Sequence, residues 1–125
     1  MEQEELDITL GDGTLIEVPS QQEVTLLDVI WNSEGPEGPA PRFRFLAPAI
    51  SRDGGSIDFA AAEADFQHLC EGFVQAQLAQ RGLAAPMVLI ALYDRAVAFG
   101  TSDPDSTQFI EAFRLDGAIC TREIF

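Results

Sequence analysis

The chain has 125 residues, 46% of them hydrophobic, and a formal net charge of −14 from 21 acidic and 7 basic side chains. The length suits a single domain over residues 1–125, and the apolar share excludes a disordered chain. The charge disfavours nucleic-acid phosphates and anionic lipid heads as partners, leaving a protein partner that would be cationic if charged at all.

All seven bases are arginine. The longest apolar run, Leu83 to Tyr93, is broken by Pro86 and falls short of the ~20 residues a spanning helix needs, so no membrane insertion is expected. Met1–Glu5 is acidic and expected to be disordered, and it lacks the basic and apolar parts of a signal peptide. Read as it stands, the chain is cytoplasmic. A signal peptide already removed would place it in the periplasm.

Along the chain, Leu6, Ile8 and Leu10 alternate with polar residues, Gly11-Asp12-Gly13 reads as a turn, and Leu15 to Val18 as the returning strand of a hairpin. Val24 to Trp31 is a second β-rich run, with Thr25, Leu27, Val29 and Trp31 on one face and Asp28 turning the other towards water. Asn32 to Pro41 is rich in Gly and Pro and reads as a loop. Arg42-Phe43-Arg44-Phe45 alternates strictly, which predicts a strand that buries both Phe, points both Arg outward and ends at Pro48.

A helix is predicted over 58–81. Phe59, Ala62, Phe66, Leu69 and Phe73 recur at spacings of three and four, and Cys70 and Val74 widen the stripe. Asp58 is the N-cap candidate and Gly82 the stop. Val88 to Tyr93, apolar at almost every position, reads as a central strand covered on both faces. Residues 94–107 read as a polar loop with a short strand at 97–99. Asp116-Gly117 is a hairpin turn. With Leu115 opposite Ala118, Phe113 faces Cys120, Glu111 faces Arg122, and Phe109 faces Ile124. Phe109, Phe113, Leu115, Cys120 and Ile124 then share one apolar face. A helix over 105–113 is the competing reading, and the turn signal favours strand.

Four sets of residues carry candidate chemistry. Cys70 and Cys120 both face the predicted core and are a disulfide candidate; the alternative is two buried thiols. His68 has Asp65 three residues before it and Glu71 three after, which would suit an acid–base group. The ordinary reading is a histidine on a solvated helix edge. Too few Cys and His are present for a structural zinc site, so no metal is expected. Arg42, Arg44 and Arg52 could together clamp a carboxylate or phosphate, although pairing within so acidic a chain competes. Asp103-Pro104-Asp105 and Gly11-Asp12-Gly13 share fragments with calcium loops but lack the spaced oxygen ligands. No nucleotide-binding glycine loop or nucleophile elbow is present, and no cofactor is expected.

Two stretches, Arg42-Phe-Arg-Phe-Leu-Ala-Pro-Ala-Ile continuing through Asp53-Gly-Gly-Ser-Ile-Asp-Phe, and Thr107-Gln-Phe-Ile-Glu-Ala-Phe-Arg running to Glu123-Ile-Phe, carry a resemblance. With His68-Leu-Cys70, they resemble a family of short uncharacterised proteins from marine, Rhodobacter-type alphaproteobacteria. The resemblance implies a Gram-negative origin and export of some relatives, and it brings no catalytic residues. Some such proteins carry the label acetolactate synthase. This chain is far too short for a thiamine-diphosphate synthase and has no matching cofactor segment, so the label is set aside.

These readings combine into an α+β fold: a mostly antiparallel, curved sheet of about six or seven strands with helix 58–81 packed on one face. The function expected is that of a non-enzymatic binding or accessory domain, meeting a protein partner through the arginine strand or an exposed sheet edge. The alternative is a small hydrolase or isomerase using His68 with Asp65 or Glu71.

Overall fold

The computed structural model describes residues 5–123. Its centre is a six-stranded sheet in the order β1 (Ile8–Leu10), β2 (Thr25–Ile30), β5 (Arg42–Leu46), β6 (Met87–Tyr93), β7 (Gln108–Asp116) and β8 (Ile119–Glu123). A two-stranded hairpin, β3 (Glu34–Gly35) and β4 (Gly38–Pro39), sits between β2 and β5. Neighbouring strands of the main sheet are antiparallel except β5 and β6, which are parallel. A parallel pair needs a crossover connection. The long helix lies in that connection and covers one face of the sheet, giving the expected α+β architecture.

The helix starts where the sequence places it. Asp58 Oδ1 accepts the Ala61 N–H at 2.9 Å, and Gly82 closes the helix with φ 69°. It runs as α1 (Phe59–Leu69), a π-turn (Cys70–Val74) and α2 (Gln75–Arg81). Phe66, Cys70, Val74 and Leu78 recur every four residues and are all buried. In a regular α-helix such a row drifts by about 40° per step. The wider i→i+5 turn, sealed by the Gln75 N–H on the Cys70 carbonyl, absorbs the drift and keeps the row on the sheet.

Helix and sheet enclose the main core: Ala62, Phe66, Leu69, Cys70 and Val74 pack on Val29, Phe43, Phe45, Val88, Ile90, Leu92 and Phe113. Every residue of β6 is buried, as expected of a central strand. β5 ends at Leu46, and Pro48 opens a short 3₁₀ turn. Residues 108–116 are strand, which settles the choice against a helix there.

Four expectations need correction. Residues 6–18 do not fold on themselves as a hairpin. β1 instead pairs with β2, and beyond Gly11 the chain continues along the same neighbour to a bridge between Leu15 and Thr25. Gly11 donates its N–H to the Leu27 carbonyl at 3.0 Å, and a Cβ there would lie 1.7 Å from the Leu26 oxygen. It is therefore a glycine of close approach.

Secondly, Asp28 does not meet water. A bulge between Leu26 and Asp28 shifts the alternation, so Val24 and Leu26 face the core before it, Val29 and Trp31 after it, and Asp28 is buried on the far side. Thirdly, no strand forms at 97–99; the whole of 94–107 is loop.

The fourth correction concerns the last hairpin, which is offset by two residues. Leu115 pairs with Cys120 and Phe113 with Arg122, so Gly117-Ala118 is the turn. Gly117 takes φ 61° at the first central position while Asp116 stays in the strand, the pattern of a type II′ turn. An even offset keeps every side chain on its face. Phe113 and Cys120 remain in the core with Phe109 and Leu115 packed against it. The expected partner of Phe109, Ile124, lies outside the described residues.

Candidate functional site

The expected residues do not come together in one site. Cys70, on the π-turn, and Cys120, on β8, have sulfurs 2.08 Å apart, at disulfide distance. Two helix glutamines hold the same strand: Gln67 Nε2 donates to the Cys120 carbonyl at 2.7 Å and Gln75 Nε2 to the Gly117 carbonyl at 2.9 Å.

His68, Asp65 and Glu71 do not assemble. Asp65 is fully buried and points away from the helix edge. It accepts bonds from the Ser20 N–H at 2.8 Å, the Ser20 hydroxyl at 2.5 Å and Gln22 Nε2 at 2.8 Å. Its work is structural: it anchors a turn in which Gln21 sits at φ 67°, in the left-handed region that favours glycine. His68 is exposed, and Glu71 lies on the β8 side, 3.4 Å from the Cys120 N–H. Separation in the sequence by three places Asp65 and His68 on neighbouring parts of the helix, but the 18–22 turn claims the carboxylate.

The three arginines also separate. Arg44 is buried, donating from Nε and Nη2 to the two Asp28 oxygens at 2.7 Å each and from Nη1 to the Val97 carbonyl at 2.8 Å. Its guanidinium lies 5.3 Å from the Tyr93 ring centre and 5.5 Å from that of Phe99. The bond to Asp28 raises its pKa further above the ordinary range, against the opposing effect of burial. The outward-facing Arg44 expected from alternation is therefore closed off by loop 94–107. Arg52 donates to the Pro104 carbonyl of the same loop.

Arg42 stands on the sheet's back face, the one opposite the helix, in a cross-strand row with Leu89 and Ala112. It has neither an ion pair nor a side-chain hydrogen bond among the described residues, and its Nε is buried without a partner. The other arginines all have acceptors. Arg81 pairs with Asp7, Arg95 with Asp94, Arg114 with Glu37 and Glu123, and Arg122 with Glu63.

Two features were not singled out from the sequence. The first is a polar notch of about 260 Å³ lined by Glu63, Gln67, Glu111 and Arg122 beside Phe66 and Phe113. Burial pushes the Glu111 pKa up and nearby Glu63 adds to it, while Arg122, 3.8 Å away, opposes. Its lining holds two carboxylates and an arginine, and no Ser, Cys or His. Among the described residues no cluster of His, Cys, Asp and Glu is placed to hold a metal ion, and no helix is long and apolar enough to cross a membrane.

The second feature is the open edge at β1. All three of its residues are exposed, and Leu6, Ile8, Leu10 and Leu15 are among the large apolar side chains left in water. Asp7 accepts from the Trp31 N–H at 2.8 Å and Gly11 donates to Leu27, so by antiparallel alternation Ile8 and Leu10 direct their own N–H and C=O groups away from the sheet. The edge is held from behind. Trp31 Nε1 donates to Thr9 Oγ1 at 2.8 Å, and Arg81 stacks 4.2 Å over the Trp31 ring while pairing with Asp7. Leu15 leads into a groove of about 560 Å³ formed by residues 15–23. No base precedes Arg42 in the sequence, whereas Glu5, Asp7, Asp12, Glu17 and Glu23 flank this edge and groove.

No curated protein and no solved structure matches this chain. A family model described as a family of unknown function, DUF6497, matches residues 2–125. The chain belongs to that family, which carries no established activity to assign.

Proposed function

We propose that this chain is a non-enzymatic binding domain that takes an extended, basic segment of a partner protein along the open edge of β1. The observation that carries this reading is the coincidence, at one edge, of outward backbone groups, exposed Ile8 and Leu10, and a flank in which Glu5, Asp7, Asp12, Glu17 and Glu23 outnumber the single base there, Arg81, which is already paired with Asp7. An added strand would satisfy the outward N–H and C=O groups. Its alternate side chains would lie against Ile8 and Leu10, its bases would meet Asp12, Glu17 and Glu23, and one side chain would reach the groove beyond Leu15. The same acids and the shortness of the edge keep like chains from pairing.

The compartment belongs to the same reading. A Cys70–Cys120 bridge suits an oxidising environment such as the bacterial periplasm, in line with the Gram-negative origin and export that the resemblance implies. Denatured, unreduced protein from its own source should contain no free thiol; two free thiols would move the partner search to the cytoplasm.

The direct test is an amide-resolved NMR titration with a capped peptide of alternating Lys and Val, and with its Glu and Val counterpart. The basic peptide should saturate, with shifts confined to residues 6–23, and should weaken steeply with salt. Leu10→Pro deletes one outward donor while sparing the bonds to β2, and should abolish binding. Equal binding of both peptides, or shifts elsewhere, would sink the proposal.

A further inference from the structure

We propose that the back face of the sheet carries a site for a small monocarboxylate with a short apolar tail, with Arg42 as the anion-binding group. It involves other residues than the β1 edge and stands or falls separately from that reading.

The first observation is electrostatic. Acids outnumber bases 21 to 7 in this chain, so an arginine without a carboxylate is the exception. Among the described residues Arg42 and Arg52 lack one; Arg52 has the Pro104 carbonyl instead, whereas Arg42 has no acceptor and its Nε is buried. A half-buried guanidinium loses hydration that its surroundings should replace with acceptors. Phe99, with its ring centre 5.8 Å from the Arg42 Cζ, supplies a face for the guanidinium but no acceptor for its N–H groups.

The second observation is the space beside it. Arg42, Leu89, Ala112 and Ile110 line a cleft of about 410 Å³, walled by the β3–β4 hairpin at Glu34–Pro36 and by Glu123. That volume falls within the ~300–1,000 Å³ range of small-molecule sites. The row from Arg42 through Leu89 to Ala112 crosses three strands, so a cation and an apolar surface are held side by side on rigid backbone. A carboxylate would take the guanidinium N–H groups as a charge-assisted pair while its tail covered Leu89, Ala112 and Ile110.

The rim selects among anions. Glu123 is occupied by Arg114, but Glu34 is exposed at the wall, Glu111 also lines the cleft, and the whole chain is acidic. A dianionic phosphate would meet that repulsion twice over, whereas a monocarboxylate meets it once.

The test uses the full chain and two probes of nearly equal shape, 4-phenylbutyrate and its uncharged amide, in amide-resolved NMR titrations at low salt. The carboxylate should saturate with shifts at Arg42, Leu89, Ile110 and Ala112, and should bind at least about tenfold more tightly than the amide. Arg42→Gln should remove that preference, and Arg42→Lys should restore part of it. Ile110→Glu, at a half-exposed position, leaves Arg42 in place but puts a like charge over the tail, and should weaken the carboxylate by about tenfold or more. Equal affinity for acid and amide, unchanged affinity in Arg42→Gln or Ile110→Glu, or no saturation by about 10 mM would each overturn the proposal.

Discussion

The two faces of the sheet are covered by different means. On the front, a long helix lays one apolar stripe over Phe43, Phe45, Ile90, Leu92 and Phe113, and stability there comes from area removed from water. On the back, the cover is loop 94–107 and a two-residue-strand hairpin, and the middle of the face is polar. Asp28 and Arg44 meet there as a buried pair, beside a small apolar cluster of Ala91, Tyr93 and Val97. A helix satisfies its own backbone bonds and can cover a face with apolar side chains alone. A loop cannot, and brings carbonyls that need donors, as Val97 does from Arg44. The polar back face thus follows from the kind of cover it received.

That contrast can be broken most forcefully at the buried pair. Arg44→Met leaves Asp28 charged and unpaired and should cost about 3–5 kcal/mol. Combining it with Asp28→Leu should recover most of the loss, because two apolar side chains replace two desolvated charges. Urea unfolding of the two single variants and the double variant checks this. A double variant as unstable as Arg44→Met would mean that the back face depends on its charges for more than their mutual pairing.

Next in size is the link on the front. A bridge between Cys70 and Cys120 spans 50 residues of sequence. Chain entropy gives about 4 kcal/mol for such a loop, and observed effects run from about 2 kcal/mol upward. Reduction, or replacement of both cysteines by alanine, should lower the urea midpoint accordingly. Loss should be felt first in β8, which is an edge strand tied to the helix by this link and by Gln67 and Gln75.

The smallest effect distinguishes the faces by pH. Burial pushes the Asp94 pKa up, but bonds from Arg95, the Thr107 N–H and Ser51 outweigh it and hold the group below its ordinary value. Its contribution is present above the unfolded-state pKa and is lost as pH falls through the depressed folded value. Glu111 on the front is the reverse, raised chiefly by burial. Its ionisation costs nothing below the unfolded-state pKa and weighs in full once pH has risen through the folded one. Glu111→Gln should therefore gain a little at pH 7, under about 1 kcal/mol, and nothing at pH 3. Asp94→Asn should lose stability at pH 7 and converge with the native chain in acid. Parallel pH profiles for the two variants would contradict these assignments.

Much of the front face was legible beforehand. The 3.6-residue stripe, the Asp58 cap, the Gly82 stop and the unbroken apolar run of β6 each express a local rule, and the helix and central strand follow from them. The meeting of Cys70 with Cys120 was legible as a possibility, because both lay on faces turned to one core. The back face was not. Alternation placed Arg44 in water because a strand's period cannot reveal whether a distant loop will fold over its outer side. Asp28 was misplaced for a related reason: one bulged residue reverses the faces of everything before it, and nothing in Leu26-Leu27-Asp28 marks the bulge except its pairing with β5.

The candidate sites divide along the same line. The sequence marks Arg42, Arg44 and Arg52 alike, three guanidinium groups in eleven residues. Tertiary structure gives Arg44 to Asp28 and Arg52 to Pro104, and leaves Arg42 over a cleft. It likewise takes Asp65 from His68 and gives it to Ser20 and Gln22. Charge, apolar period and capping are properties of a few adjacent residues, so the sequence by itself determines the helix, the central strand and the acidic character. Which charges are paired, which strand is an edge and which face stays open depend on residues far apart in the chain, and those the fold alone decides.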